Sequence, residues 1–223
     1  MVITLKITIA DAVRAAAPEL ALGVVSAQVE VRVEDPGLRA ELNEAARQAE
    51  RDLTGKDLAQ VPEIQALRRL YRGLGKDPAR YRGASEALLR RIVQGKGLYF
   101  VNTVVDINNL VSITTRHALG AYDLDRVQGD VLFRAGADGE SYEGIGRGSL
   151  NLEGLPVFSD SLGPFGSPTS DSERTKIALE SKRIALVIIA CAGQDELEAQ
   201  MEWTSDLLRR YANATDLSAS IGQ

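Results

Sequence analysis

Few side chains in this 223-residue chain are equipped for chemistry, and their scarcity is informative. There is one histidine, His117, and one cysteine, Cys191. A zinc site assembled from several histidines and cysteines is therefore excluded, and a Ser-His-Asp triad would rest wholly on His117. Cys191 sits inside an apolar run from Ile184 to Ala192, where a buried structural thiol is expected rather than a nucleophile. Thr54-Gly55-Lys56 lacks the upstream glycine of a phosphate loop, and Gly144-Ile145-Gly146-Arg147-Gly148 reads as a turn. No cofactor is called for.

The clearest chemical feature is charge. The chain carries −5 overall, yet Arg68 to Lys96 holds nine basic residues against Asp77 and Glu86. That is an excess of seven positive charges, which leaves −12 on the remainder. Arg68, Arg69, Arg72, Arg80, Arg82, Arg90 and Arg91 are suited to phosphate, because a guanidinium binds oxygens in pairs. Tyr71, Tyr81 and Tyr99 lie in or beside this block, where they are candidates to stack on unpaired bases. The alternative is a solvated helical face whose arginines pair with acidic neighbours.

These residues must be positioned by a fold. With 44% hydrophobic and 26% charged residues the chain has the balance of a globular protein. No stretch approaches the ~18 apolar residues that span a bilayer, so no membrane partner is expected. The strand-like start, Met1 to Ile9, has no features of a signal peptide, which makes a cytoplasmic location the expectation. Alternation predicts strands over 3–9 and 27–33, and helical spacing predicts helices from Leu38 to Leu53, from Pro62 to Gly73 or Gly75, and from Ser85 to Val93. Residues 103–113 also read as helix, and strands are expected near 131–134, 141–145, 155–159 and 184–192, the last central and buried. Asp195 with Glu198 resembles a capping box opening a C-terminal helix, and 212–223 is expected to fray. The fold class is α+β: a single domain, residues 1–223, with a β-rich centre flanked by helices.

One stretch goes further than periodicity. Val104-Val105-Asp106-Ile107-Asn108-Asn109-Leu110-Val111, then Gly120-Ala121-Tyr122-Asp123-Leu124-Asp125, then a glycine, a short strand and Arg134, is similar to a segment of the phenylalanyl-tRNA synthetase beta subunit. There the series runs V-V-D-V-T-N-Y-V, then H-A-F-D-L-D-K-L. Gly163-Pro164-Phe165-Gly166-Ser167 resembles that family's G-I-F-G-G turn, and Thr175 to Ser181 its T-x-x-x-L-L-E-[SC]. The resemblance covers roughly 80–190 and points to the tRNA-editing module, the third and fourth B domains; the first 80 residues look more like a free-standing branch.

The resemblance implies binding of the aminoacyl end of tRNA and hydrolysis of a mischarged ester, with the amino-acid moiety held in a pocket. No synthetase activity follows, since the residues for amino-acid activation are absent. Carried over by position, the T-N pair falls on Asn108 and Asn109, the turn glycine on Gly163, and the hydroxyl-sensing glutamate on Glu180. The family histidine falls on Gly120, with His117 three residues earlier. Ester hydrolysis needs a positioned water and donors to the developing oxyanion. Asn109 and a backbone N–H near Gly163 are the candidate donors, and Glu180 the acceptor from a hydroxylated side chain. The resemblance requires these residues and His117 to line one cleft, with the space beside Gly120 either open to substrate or filled by His117. Plainer readings stand beside this: asparagines that pin backbone, a surface glutamate, a loop histidine. The alternative functions are a binding module without catalysis, or a hydrolase of another amino-acid ester or amide.

Overall fold

The unbroken apolar run becomes the middle of the molecule. In the computed structural model, which describes residues 5–222, Arg183–Ala190 forms a strand buried on both sides of its sheet. Successive side chains on a strand point to opposite faces. Ile184, Leu186, Ile188 and Ala190 accordingly enter one core, while Ala185, Val187, Ile189 and Cys191 enter a second. A strand with two buried faces cannot alternate polar and apolar residues, which is why this one reads as a continuous apolar run. Burial pushes the Cys191 thiol up to about 12, so it stays protonated and inert.

The strands are β1 (Ile7–Ile9), β2 (Ala21–Gln28), β3 (Ala118–Asp123), β4 (Val131–Ala135), β5 (Ser141–Gly144), β6 (Gly148–Asn151), β7 (Pro156–Asp160), β8 (Gly163–Gly166), β9 (Arg183–Ala190) and β10 (Thr215–Gly222). The main sheet has the order β10-β2-β9-β3 and is antiparallel; a second sheet has the order β1-β4-β7-β8, with β1 and β4 parallel. The helices are α1 (Asp11–Ala16), α2 (Pro36–Leu53), α3 (Pro62–Gly73), α4 (Ala84–Val93), α5 (Thr103–Thr115) and α6 (Leu197–Ala212). Helices α2, α4, α5 and α6 pack on one face of the main sheet. The second sheet, with apolar residues of α1 and α3, closes the other face. This is a single α+β domain with its β-rich centre between helices and a second sheet.

Several local expectations change. The 212–223 tail does not fray: up to Gly222 it forms an edge strand on β2, with Ala219 opposite Val25 and a bulge near Asp216, where φ is positive. Its small polar residues give no apolar signal because main-chain hydrogen bonds to β2 hold it, not side-chain burial. The second strand begins at Ala21, not Ala27, because Ala21–Val25 is buried on both faces and does not alternate. Asp195 does not cap α6; Glu196 occupies that position without a side-chain cap bond, and Leu197 N–H bonds back to Gln194 in a preceding turn. Ile3, in the expected first strand, lies outside the described residues.

Candidate functional site

The strand β3 separates two groups of candidate residues. Ala118 and Tyr122 face the second sheet, whereas Leu119 and Ala121 face the helices. Gly120 shares the Tyr122 face by the same alternation. His117, an odd number of residues away, belongs to the helix side and does not fill the space beside Gly120. The Tyr122 ring fills that space itself: a Cβ built on Gly120 would stand 2.1 Å from its hydroxyl oxygen, and one on Gly166 would stand 2.3 Å away. Phe165 and Phe158 hold the ring edge-on at centroid distances of 5.0 and 5.7 Å.

The wedged phenol leads to a carboxyl group that sequence reasoning missed. Tyr122 Oη donates to Asp171 Oδ1 at 2.9 Å, and Ala121 N–H points at Oδ2 from 3.4 Å. Asp171 keeps some surface exposure, but its carboxyl group is enclosed. Burial raises its pKa to about 7, against the opposing hydrogen bonds from Tyr122 and from main-chain N–H groups. That value suits proton transfer near neutral pH. No motif betrays Asp171; Ser167-Pro168-Thr169-Ser170-Asp171 reads only as a turn. The segment it opens covers the free edge of β3, with Asp123 N–H donating to Thr175 O at 2.9 Å.

The remaining predicted site residues lie on three other segments of the chain. Asn108 and Asn109 are half-buried in the middle of α5, and Asn108 Oδ1 is buried without a hydrogen-bond partner among the described residues. Gly163 turns the β7–β8 hairpin at φ +112°, a conformation that favours glycine, and its carbonyl accepts from Arg174 at 3.1 Å. Arg174 also clamps Asp160 with two bonds of 2.9 Å across the same turn. Glu180 is exposed on a turn, while its neighbour Ser181 points inward and donates to Asp123 at 2.7 Å. A groove of about 620 Å³ between α6 and β10 holds none of these residues.

The basic block divides. Glu86, 2% exposed on α4, receives Arg68 through two bonds of 2.9 and 2.8 Å and Arg90 through one of 2.9 Å. Arg82 approaches the same carboxylate at 3.4 Å. Burial opposes the charge on Glu86, but the bonds from Arg68 and Arg90 outweigh it and hold its pKa below the ordinary range. The signal was the four-residue spacing Arg82-Glu86-Arg90. Arg69 bonds Gln65 at 3.1 Å, and Arg72 and Arg80 are exposed. Tyr71 is not free to stack, since it is fully buried and bonded to Thr169 at 2.7 Å. Tyr81 is half-buried, with Lys76 and Arg80 both 5.7 Å from its ring. Tyr99 is 66% exposed and lies 4.0 Å beneath the Arg91 guanidinium.

Comparison with known proteins assigns the family. The family model of the B3/4 domain matches residues 66–219, well over half of the chain. The chain belongs to the B3/4 domain family. The match takes in most of α3, all of α4 and the strand β3. The phenylalanine–tRNA ligase beta subunit of Protochlamydia amoebophila (strain UWE25) is 28% identical over 144 residues, 60% of this chain. The aligned stretch is 17% of that relative, so this B3/4 domain spans a small part of it. An N-terminal fragment of the phenylalanyl-tRNA synthetase beta subunit from Pyrococcus horikoshii aligns with 99% of this chain and 51% of its own, at 11% identity and a TM-score of 0.47. Among the described residues no helix is long and apolar enough to cross a membrane, and no group of His, Cys, Asp and Glu is arranged to hold a metal ion.

Proposed function

We propose that this B3/4 domain binds the aminoacyl end of tRNA and hydrolyses mischarged esters in trans. The observation that carries the reading is the family match over 66–219, which takes in the exposed Arg72 and Arg80 together with β3 and Asp171. The relative of known name is a tRNA ligase subunit, in keeping with an RNA partner. In this reading Arg72, Arg80 and Arg91 meet phosphate, and Tyr99 offers its open face to an unpaired base. Arg68, Arg82 and Arg90 contribute the surplus charge around Glu86 and belong equally to the fold.

The chemistry differs from that implied by the motif. With glycine in the histidine position and His117 on the opposite face, Asp171 is the base proposed to take a proton from the attacking water. Asn109 and the main chain near Gly163 are the proposed donors to the ester, and Glu180 can meet a substrate hydroxyl only from the solvent side. A second reading, a binding module without catalysis, is favoured by the Tyr122 ring that occupies the space beside Gly120. One experiment separates the two: binding and amino-acid release measured against a panel of mischarged tRNAs. Release that is lost in Asp171→Asn supports the deacylase, and tight binding with no release leaves the module. Arg72→Glu, Arg80→Glu and Arg91→Glu together should lower the salt dependence by about two in log–log slope, at ~0.7 per single-strand phosphate. Salt-insensitive binding would remove RNA from the account.

A further inference from the structure

His117 lies on the other face of β3 from Gly120, yet its surroundings are those of a site. It is 7% exposed, and its ring makes no hydrogen bond among the described residues. It lines a cavity of about 240 Å³ with Glu63, Asp195, Glu196 and Gln200. A neighbouring lobe of about 570 Å³ shares Glu63, Glu196 and Gln200 and adds Arg116 and Trp203. Three elements build it: the first turn of α3, the end of α5 leading into β3, and the β9–α6 connection with the first turn of α6. It lies at one end of the main sheet, on the other side of β3 from Gly120.

The inner cavity is lined by three carboxylates, Glu63, Asp195 and Glu196, and by no lysine or arginine. Glu63 Oε2 and Gln200 Oε1 are buried and lack a donor among the described residues. Burial, the dominant influence, pulls the His117 pKa below its ordinary value despite the nearby Glu63 and Glu196 carboxylates. The imidazole is therefore neutral at neutral pH and offers a ring lone pair. Such acceptors, left unpaired, are costly, and a bound donor would satisfy them. The charged groups around His117 are Glu63 from α3, Asp195 and Glu196 from the connection, and Arg116 at the left-handed end of α5. Arg116 borders only the outer lobe, so a cationic head is directed inward, and Trp203 can cover its apolar stem.

We propose that this cavity binds the primary ammonium group of a small organic amine, with the head among Glu63, Glu196, Gln200 and His117 and the stem along Trp203. An ammonium nitrogen gathers its acceptors at ~2.9 Å, a wider ring than the ~2.1 Å around a zinc ion, and among the described residues no group is arranged to hold a metal. The site is independent of the RNA reading.

The chain itself supplies the reporters, because His117 is its only histidine and Trp203 its only tryptophan. Titrating the full chain with n-butylamine should shift the His117 ring resonances saturably and change Trp203 fluorescence, while n-butanol should do neither. Glu63→Gln and Glu196→Gln should each weaken binding about tenfold, as loss of a charge-assisted contact implies. Unaltered backbone amide spectra in both variants show that the fold is intact. Absence of a saturable shift, an equal response to butanol, or unchanged affinity in both folded variants would overturn the proposal.

Discussion

Among the enclosed carboxyl groups of this domain, Glu86 and Asp171 resolve the cost of burial in opposite ways. Glu86 is surrounded by Arg68, Arg82 and Arg90 and is held ionised below the ordinary range. Asp171 has only a phenol and main-chain N–H groups as partners, and its pKa rises to about 7. Burial pushes both upward, and the presence or absence of neighbouring cations decides the outcome. The contrast separates structure from chemistry. Glu86 organises three arginines of the block into a fixed cluster, while Asp171 is left able to exchange a proton at neutral pH.

The largest effect should come from breaking the first arrangement. Glu86→Gln leaves Arg68, whose side chain is only 14% exposed, without its two-pronged partner. Loss of one member of a buried ion pair costs about 3–5 kcal/mol, and the partial exposure of the other arginines places this variant near ~3 kcal/mol. Denaturant unfolding at neutral pH measures it. The pH dependence has a definite sign: the folded pKa lies below the ordinary 4.5, so the stabilisation is present above that value. It is lost as pH falls through the folded pKa, and that acid-side loss should be missing from the variant. A change under about 1 kcal/mol would mean that the cluster is held by its surroundings rather than by Glu86.

Asp171→Asn should act in the other direction and more weakly. Between the ordinary 3.8 and about 7 the folded state binds more protons at this site than the unfolded state does. Stability therefore falls as pH rises through that window, and above it the penalty is complete. An asparagine is neutral and still bonds Tyr122 or Ala121, so the variant should lack this slope. At pH 8 it should be more stable than the parent by about 1–2 kcal/mol. Parallel stability–pH curves for the two proteins would place the titration elsewhere.

The two groups were not equally legible. Arg82-Glu86-Arg90 is a local pattern at helical spacing, visible without a structure, whereas Arg68 reaches the same carboxylate from another helix. The Tyr122–Asp171 bond joins residues 49 apart through a glycine gap, and nothing along the chain marks it. The same division runs through the fold. Helices α2 to α5 and the central strand β9 follow from periodicity because one side of each helix, or both faces of the strand, is apolar. The edge strand β10 is held by main-chain bonds that residue type does not report. The motif that ties Asn108, Asn109, Gly120, Gly163 and Glu180 together was readable as a resemblance, but side-chain direction was not. Odd spacing on β3 sends His117 and Gly120 to opposite faces.

The smallest expected effect on the fold sharpens the contrast by adding a third carboxylate. Glu180 is exposed and makes no hydrogen bond or ion pair among the described residues, while Ser181 beside it anchors the turn through Ala178 N–H and Asp123. Nothing in the folded chain depends on the Glu180 charge, so Glu180→Ala should leave stability within about 0.5 kcal/mol of the parent. Affinity for uncharged tRNA should also hold, because the residue lies outside the basic helices. Any effect must then pass through a bound aminoacyl group. A carboxylate that accepts from a substrate hydroxyl discriminates against the analogue lacking it to the extent that the bound ester shields it from water. The expected result is a changed preference between tyrosyl and phenylalanyl esters in the release assay, with stability and RNA affinity fixed. An unchanged preference would make Glu180 a surface charge and confine the chemistry to Asp171 and its neighbours.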